Sequence, residues 1–163
     1  MRTTIIAAAA ALLAAACGSS GGKEATETKD IGASGYVVDA PKSWKITEDM
    51  EGFWSLEDGR GKSAAQLIST GAAAPTLDEL AQGRCGEPDQ KDVVADQLPS
   101  GTVFVTCRGP SQGIKMEGTT ITTTKFQVVA TGGAESLTCS YETDDERRAR
   151  STLEICKSIR TKK

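Results

Sequence analysis

The sequence contains no histidine and no asparagine among its 163 residues. Without histidine, it cannot form a Ser-His-Asp or Cys-His catalytic arrangement, or a zinc or iron site with histidine ligands. Without asparagine, it has no Asn-x-Ser/Thr glycosylation signal. Only seven residues are aromatic, so any ring exposed on the folded surface would be informative.

Excess positive charge is also absent. Without residues 1–16, which include Arg2, the chain carries 18 basic and 22 acidic residues, a net charge of −4. This balance does not favour nucleic-acid binding. After the opening apolar run of residues 3–16, no second run is long enough to cross a membrane. The composition therefore predicts one domain with no transmembrane helix of its own.

The opening stretch has Arg2 followed by an uncharged, alanine-rich run that ends at Cys17 and continues as Gly-Ser-Ser-Gly-Gly. A short positive region followed by a short apolar region is typical of an export signal. The stretch resembles a bacterial lipoprotein signal, whose lipobox ends in a cysteine that carries the lipid. It departs from that pattern at Ala14, where the family prefers leucine. Ala14 to Ala16 also fit ordinary signal-peptidase cleavage, which would release a secreted protein.

Five cysteines are present, and an odd number leaves one without an intramolecular partner. Lipid on Cys17 would account for the odd one, the alternative being a free or intermolecular thiol there. Four cysteines would then remain for two disulfides, which an exported protein can keep oxidised. No Cys-x-x-Cys motif occurs, which disfavours a redox role.

The sequence divides into a signal peptide over residues 1–16, a lipidated N-terminus with a flexible linker over residues 17–34, and a single α+β domain over residues 35–163. The linker prediction rests on composition, because Gly, Ser, Thr and charged residues dominate and Ile31 is the only large apolar residue.

Within the domain, β-prone runs alternate with turn signals. Such runs lead up to Pro41, flank a turn at Asp58-Gly59, and flank both a Pro-Ser-Gly turn at 99–101 and the Gly132-Gly133 turn. They predict strands in the following places: residues 35–41, 53–56, 64–69, 91–97, 103–107, 119–131 and 135–141.

Two segments have the pattern of helices. Thr76 and Glu79 form a capping box at the start of residues 76–86, and Thr143 and Glu146 have the same spacing at the start of residues 143–160. The second segment also has a strong apolar stripe, formed by Ala149, Leu153, Cys156 and Ile159. The stripe directs Cys156 toward the sheet. Of the three pairings that four cysteines allow, we therefore favour Cys139–Cys156 and Cys85–Cys107.

Two stretches, one at each end of the domain, carry a family resemblance. The first is "YVVDAPKSW", with Tyr36, Val38, Pro41 and Trp44; the second is "LEICKSIR", with Ile155, Ser158 and Ile159. In these stretches the domain resembles the Mog1/PsbP/DcrB-like group. The resemblance implies an α/β sandwich, an antiparallel sheet flanked by helices. It implies no activity, because the group is mostly non-enzymatic and a fold does not specify a function.

Four patterns in the sequence are candidate sites. "DGRGKS" at 58–63 lacks the first glycine of a phosphate-binding loop, because Leu56 occupies that position, and a hairpin turn explains it. The acids Glu142, Asp144, Asp145 and Glu146 lack the glycine of a Ca²⁺ loop and suit the start of a helix. Trp44 and one of the adjacent Phe53 and Trp54 would mark a binding surface if exposed, although packing in the core is favoured. Nothing selects two acids as a catalytic pair.

The sequence therefore predicts a non-enzymatic, membrane-anchored lipoprotein of the bacterial envelope, held by acyl chains on Cys17 at the extracytoplasmic side of a cell or outer membrane. Its predicted role is binding or structural, toward an envelope protein or component. The alternative is a small-ligand binder with a pocket between sheet and helices. No catalytic residue, metal or cofactor is predicted, and no nucleic-acid partner.

Overall fold

A computed structural model describes residues 24–71, 73–111 and 121–163. Cys17 and the predicted signal peptide lie outside the described residues. The strands and helices, in chain order, are β1 Thr26–Asp30, β2 Tyr36–Pro41, β3 Lys45–Met50, β4 Phe53–Glu57, β5 Ser63–Thr70, α1 Leu77–Cys85, β6 Lys91–Gln97, β7 Val103–Pro110, β8 Thr122–Ala130, β9 Ser136–Thr143, α2 Glu146–Lys157 and β10 Arg160–Thr161.

The strands form two antiparallel sheets. The larger sheet has seven strands in the order β3-β4-β5-β9-β8-β7-β6, and the smaller has three in the order β1-β2-β10. This mixed, mostly antiparallel architecture with two helices confirms the predicted α+β class. Neither described helix has the length and apolar character needed to cross a membrane.

One face of the seven-stranded sheet carries the main core, and we call it the α2 face. Side chains alternate along each strand, so Phe126 and Val128 of β8 and Cys139 of β9 point to this face together with Leu67 of β5. Helix α2 and the three-stranded sheet cover them. Sixteen buried residues form one continuous cluster here, with residues of α2 and β2 among its members.

The opposite face, which we call the α1 face, is covered by α1 over β6, β7 and β8. Its cluster has six buried residues: Leu80, Cys85, Val103, Val105, Cys107 and Val129. On β9, β5 and β4 the same face presents the half-buried or exposed side chains of Ser140, Gln66 and Ser55, which lie opposite one another in register.

Both disulfides predicted from the sequence are present. Cys139 of β9 is bonded to Cys156 of α2, and Cys85 at the end of α1 is bonded to Cys107 of β7. Each bridge therefore ties one helix to the sheet face that it covers. All four cysteines are at most 5% exposed.

The apolar stripe of α2 is confirmed, because Ala149, Leu153 and Cys156 are buried. The predicted capping box is corrected. The helix begins at Glu146, and the Asp145 side chain caps it by accepting a hydrogen bond from the Arg148 amide at 3.0 Å. Thr143 instead ends β9, where pairing with β8 holds its backbone extended. In α1 the Thr76–Glu79 capping box is present as predicted.

The flexible-linker prediction was wrong for residues 24–34. Strand β1 pairs with β2 from Thr26 opposite Pro41 to Asp30 opposite Val37, a short 3-10 turn follows at Gly32–Ser34, and the Ile31 side chain is fully buried. The segment is polar because β1 is an edge strand with both faces mostly exposed. Backbone pairing and one buried isoleucine order it, and composition reports neither.

Candidate functional site

An open groove of about 580 Å³ lies among the described residues. It lies where α1 begins, between the segment that leads into the helix and the β6–β7 and β8–β9 turns. We call it the α1 groove. Its described lining consists of small residues, hydroxyls and a few aliphatic side chains, with one carboxylate: Ala73, Ala74, Pro75, Leu77, Val103, Thr131, Glu135 and others.

Two local devices hold the walls of the groove. On one side, the Thr76 hydroxyl accepts from the Glu79 amide and the Glu79 carboxylate accepts from the Thr76 amide at 2.8 Å, which fixes the start of α1. On the other side, the Tyr36 hydroxyl donates to the Glu135 carbonyl at 2.7 Å and accepts from the Gly133 amide at 3.0 Å. A Cβ at Gly133 would lie 2.9 Å from the Tyr36 ring, so only glycine permits this approach.

The groove carries little charge. Glu135 is the one acid in its described lining, no lysine or arginine lines it, and the Ser69 hydroxyl donates to the Glu135 carboxylate. Such a surface suits a neutral ligand or an extended peptide, which would meet small apolar side chains and hydroxyls. It does not have the paired titratable groups that acid–base catalysis needs.

A second cavity of about 310 Å³ lies on the other side of the β8–β9 turn and is more acidic. Glu48, Glu51 and Glu135 line it, and the Trp54 indole forms part of its wall. Trp54 is 2% exposed and its Nε1 atom has no hydrogen-bond partner. A Cβ on Gly32 would lie 2.7 Å from that nitrogen, so the backbone at Gly32 covers the indole N–H.

The aromatic residues considered as surface markers pack instead, as the sequence analysis favoured. Trp54 is in the main core, Trp44 packs against it partly buried, and Phe53 is half-buried on the opposite side of β4. Among the described residues, the exposed large apolar side chains are those of Met50, Val93 and Val94, and none of them is aromatic. The described surface therefore has no flat aromatic patch of the kind that would mark a protein-binding site.

Three of the four acids at 142–146 have a structural role. Asp145 caps α2, Glu142 accepts from the Thr123 hydroxyl at 2.7 Å, and Glu146 pairs with Arg108 and Arg150. No group of three or more acids or cysteines within the described ranges is arranged to hold a metal ion.

Asp58 is the one carboxylate of the described chain that is buried, at 8% exposure. Burial by itself would raise its pKa, but hydrogen bonds from the Lys62 and Arg60 amides and the nearby Arg148 charge outweigh that effect and lower it. Arg148 Nη2 donates to Asp58 Oδ2 at 3.0 Å. The predicted hairpin turn at 58–63 is thus confirmed, and its acid joins the turn to the start of α2.

One buried and one half-buried cation were missed by the sequence analysis. Lys125 of β8 is 5% exposed and lies 3.6 Å from the Glu87 carboxylate. Arg84 at the end of α1 donates to the Tyr141 carbonyl at 3.1 Å, and burial lowers the pKa of Arg84 despite the Glu142 charge. In the sequence, Lys125 stands out only as a lysine inside a Thr- and Val-rich strand. Its neighbours on the same strand face are Thr123 and Gln127, and this polar pattern predicts that Lys125 is exposed to solvent.

No protein-family model and no curated protein matches this chain. Solved structures do match it. The solution structure of cyanobacterial PsbP (CyanoP) from Synechocystis sp. PCC 6803 aligns with a TM-score of 0.51 at 14% identity, covering 90% of this chain and 99% of that one. The fold is PsbP-like. This confirms the expectation drawn from "YVVDAPKSW" and "LEICKSIR".

A crystal structure from Bacteroides thetaiotaomicron VPI-5482 also matches the PsbP-like fold. Its TM-score is 0.50 at 14% identity, and the match covers 79% of this chain. The chain spans about half, 46%, of that protein. At this level of identity both likenesses concern the fold alone.

Proposed function

We propose that this chain is a lipid-anchored lipoprotein of the bacterial envelope, attached through acyl chains on Cys17 and facing the extracytoplasmic side. The observation that carries the proposal is the state of the cysteines. Four of five are paired within the domain, and the fifth ends the apolar opening run. Disulfides persist in oxidising compartments, so the pairing supports export.

The domain itself is proposed to have a non-enzymatic binding or structural role toward an envelope protein or component. Asp58, the one buried carboxylate in the described ranges, is paired with Arg148, and the described lining of the α1 groove offers hydroxyls and a single acid. These features support recognition over catalysis. The PsbP-like fold supports this role only by analogy.

Mass spectrometry of the protein purified from bacterial membranes tests the anchor. We expect a mature chain that begins at Cys17 and carries fatty acyl chains, and a Cys17→Ser variant that leaves the membrane fraction. A matched Cys85→Ser/Cys107→Ser variant should remain in the membrane fraction, because it replaces two disulfide-bonded cysteines without touching the anchor. An unmodified N-terminus at Cys17 would refute the proposal.

The second candidate is a small-ligand binder, and the size of the α1 groove favours it. Filling the groove by Ala74→Trp should abolish binding of a ligand that co-purifies with the native protein, detected by native mass spectrometry. Ala33→Trp, in the wall of the neighbouring acidic cavity, is the control. A chain that co-purifies with no small molecule argues against this candidate.

A further inference from the structure

The point at which the proposed tether joins the domain is defined by contacts of the first described residues. The Lys42 amide donates to the Ala25 carbonyl at 3.1 Å. The Ser43 amide and hydroxyl donate to the Glu24 carboxylate at 2.7 and 2.8 Å. The chain therefore reaches the domain at the turn between β2 and β3, from Pro41 to Trp44.

A second turn lies against the first. A Cβ on Gly59, in the β4–β5 turn, would be 2.7 Å from the Ser43 hydroxyl oxygen. Lys45 begins β3 opposite Glu57, the last residue of β4. The two turns and the start of β3 thus form one continuous surface at this end of the sheet.

This surface carries four exposed cations: Lys42, Lys45, Arg60 and Lys62. We call them the tether-proximal patch. Arg60 has a 3.4 Å ion pair with Asp58, whereas Lys42, Lys45 and Lys62 have no ion pair with any described residue.

Acids offset the patch in part. Glu24, which accepts from Ser43, and the half-buried Glu57 keep their charges beside the four cations, whereas Asp58 is paired with Arg148 and Glu27 with Lys29. The exposed Asp144 and Asp145 lie next to the patch at the start of α2, where Arg148 contacts the Lys62 carbonyl. Within the two turns the four cations still outnumber the acids. The patch is therefore locally positive on a chain whose predicted mature form has a net charge of −4.

The opposite end of the same strands has the opposite charge. Glu48, Asp49 and Glu51 are exposed around the β3–β4 turn, and Glu135 is exposed in the β8–β9 turn. The α1 groove lies at this acidic end, because Glu135 also lines it. This part of the domain is thus polarised along its strands, positive where the tether arrives and negative at the far end.

We propose that the tether-proximal patch docks on the anionic lipid headgroups of the membrane that holds the anchor, and so orients the domain with its acidic end and α1 groove away from the bilayer. The proposal rests on the lipid anchor at Cys17. Six residues separate Cys17 from Glu24, which limits their Cα separation to about 25 Å. The patch therefore remains close enough to the surface to bind it.

The partner follows from charge and position. Each Lys or Arg near an anionic bilayer strengthens association roughly fivefold, and the attraction falls off over a Debye length of about 8 Å at physiological salt. A short tether that arrives at the patch keeps these cations near the headgroups without a further partner. The acidic end is repelled by the same surface, which reinforces one orientation.

The test couples the chain to vesicles chemically, so that it does not depend on cellular acylation. Residues 17–163, with both disulfides formed, have Cys17 as the one reactive thiol, and this is joined to a maleimide phospholipid. The vesicles contain phosphatidylcholine alone or with phosphatidylglycerol. Docking is measured as energy transfer from the tryptophans to dansyl-labelled headgroups, since Trp44 lies in the turn that carries Lys42.

We expect greater transfer on the anionic vesicles than on the neutral ones, with the difference lost in 1 M salt. Lys42→Glu/Lys62→Glu should lower the docking equilibrium roughly 25-fold or more. The matched control Lys91→Glu/Lys163→Glu changes net charge equally at exposed positions away from the patch and should retain docking. Circular dichroism verifies that each variant is folded.

Three results would overturn the proposal. They are equal transfer on both vesicle types, a patch variant that docks like the unsubstituted chain, and a control that loses docking to the same degree. A domain that ignores anionic vesicles would direct the search to an acidic protein. If docking fails, the proposal of a lipid anchor at Cys17 is unaffected. If Cys17 is not acylated in the cell, the anchor proposal is refuted even when the chemically coupled domain docks.

Discussion

The two faces of the seven-stranded sheet are covered in different ways. The α2 face has a twelve-residue helix, a second sheet and a sixteen-residue cluster that includes Phe126 and Trp54. The α1 face has a nine-residue helix and a six-residue cluster without an aromatic ring. Each helix is joined to its face by one disulfide.

This difference indicates where the free energy of unfolding resides. Buried apolar area is the dominant stabilising contribution, and more of it lies on the α2 face. A short helix with few buried residues opens at lower cost than the global transition. We therefore expect α1 to unfold locally, with the α1 groove, while the α2 face stays folded.

The largest effect should come from the main core. Phe126→Ala removes a fully buried ring and should lower the free energy of unfolding by about 4 kcal/mol. Leu80→Ala on α1 should cost about 2 kcal/mol, because the short helix can shift toward the space left. Urea denaturation measures both. Equal losses would show that the two faces contribute equally and would contradict the comparison.

The next effect concerns the bridges. Cys85→Ala/Cys107→Ala should cost about 3 kcal/mol and raise hydrogen exchange mainly in α1. The Cys139–Cys156 bridge closes a loop of similar length, so Cys139→Ala/Cys156→Ala should lower the free energy of unfolding by a similar amount. This second variant should exchange faster throughout the protein. Exchange that rises in the same amides for both variants would contradict the local opening of α1.

Asp58 should make the α2 face sensitive to acid. Its pKa is lowered in the folded state, so its contribution to stability is present above its unfolded pKa of about 4 and is lost as pH falls through the lower folded value. Asp58→Asn should cost about 2 kcal/mol at pH 7 and less at low pH. Urea denaturation from pH 2 to pH 7 checks this, and a loss that is constant with pH would disprove it.

The smallest effects should come from the two caps. Asp145→Ala and Thr76→Ala each remove one N-cap hydrogen bond and should cost about 1 kcal/mol. The Asp145→Ala loss should appear in global unfolding, whereas the Thr76→Ala loss should appear mainly as faster exchange in α1. A global loss from Thr76→Ala would mean that α1 unfolds together with the rest.

Strands with a buried face were predictable, and most polar edge strands were not. Strands β7, β8 and β9 alternate apolar and polar side chains because one face is packed, and their residues were placed correctly. Strand β1 is entirely polar and β3 mostly so, and both are largely exposed, because an edge strand is held mainly by backbone pairing with one neighbour. Side-chain patterns do not report that pairing.

The candidate site was less predictable than the fold. The α1 groove joins Pro75, Val103 and Thr131, which are far apart in sequence and carry no shared motif. Lys125 has the pattern of an exposed residue, yet it is buried on the sheet face that α1 covers, 3.6 Å from the Glu87 carboxylate. Its burial depends on where a helix from another part of the chain is placed.

The sequence by itself determined the α+β class, the strands with a buried face and the stripe of α2, and it favoured the observed pairing of the cysteines. Each depends on a periodic pattern of side chains or on the small number of pairings that four cysteines allow. Tertiary structure alone decided that β1 is ordered, which residue caps α2, how far Lys125 and Arg84 are enclosed, and the shape of the α1 groove. These depend on contacts between segments that are distant in the sequence, and a local sequence pattern does not report the energies of such contacts.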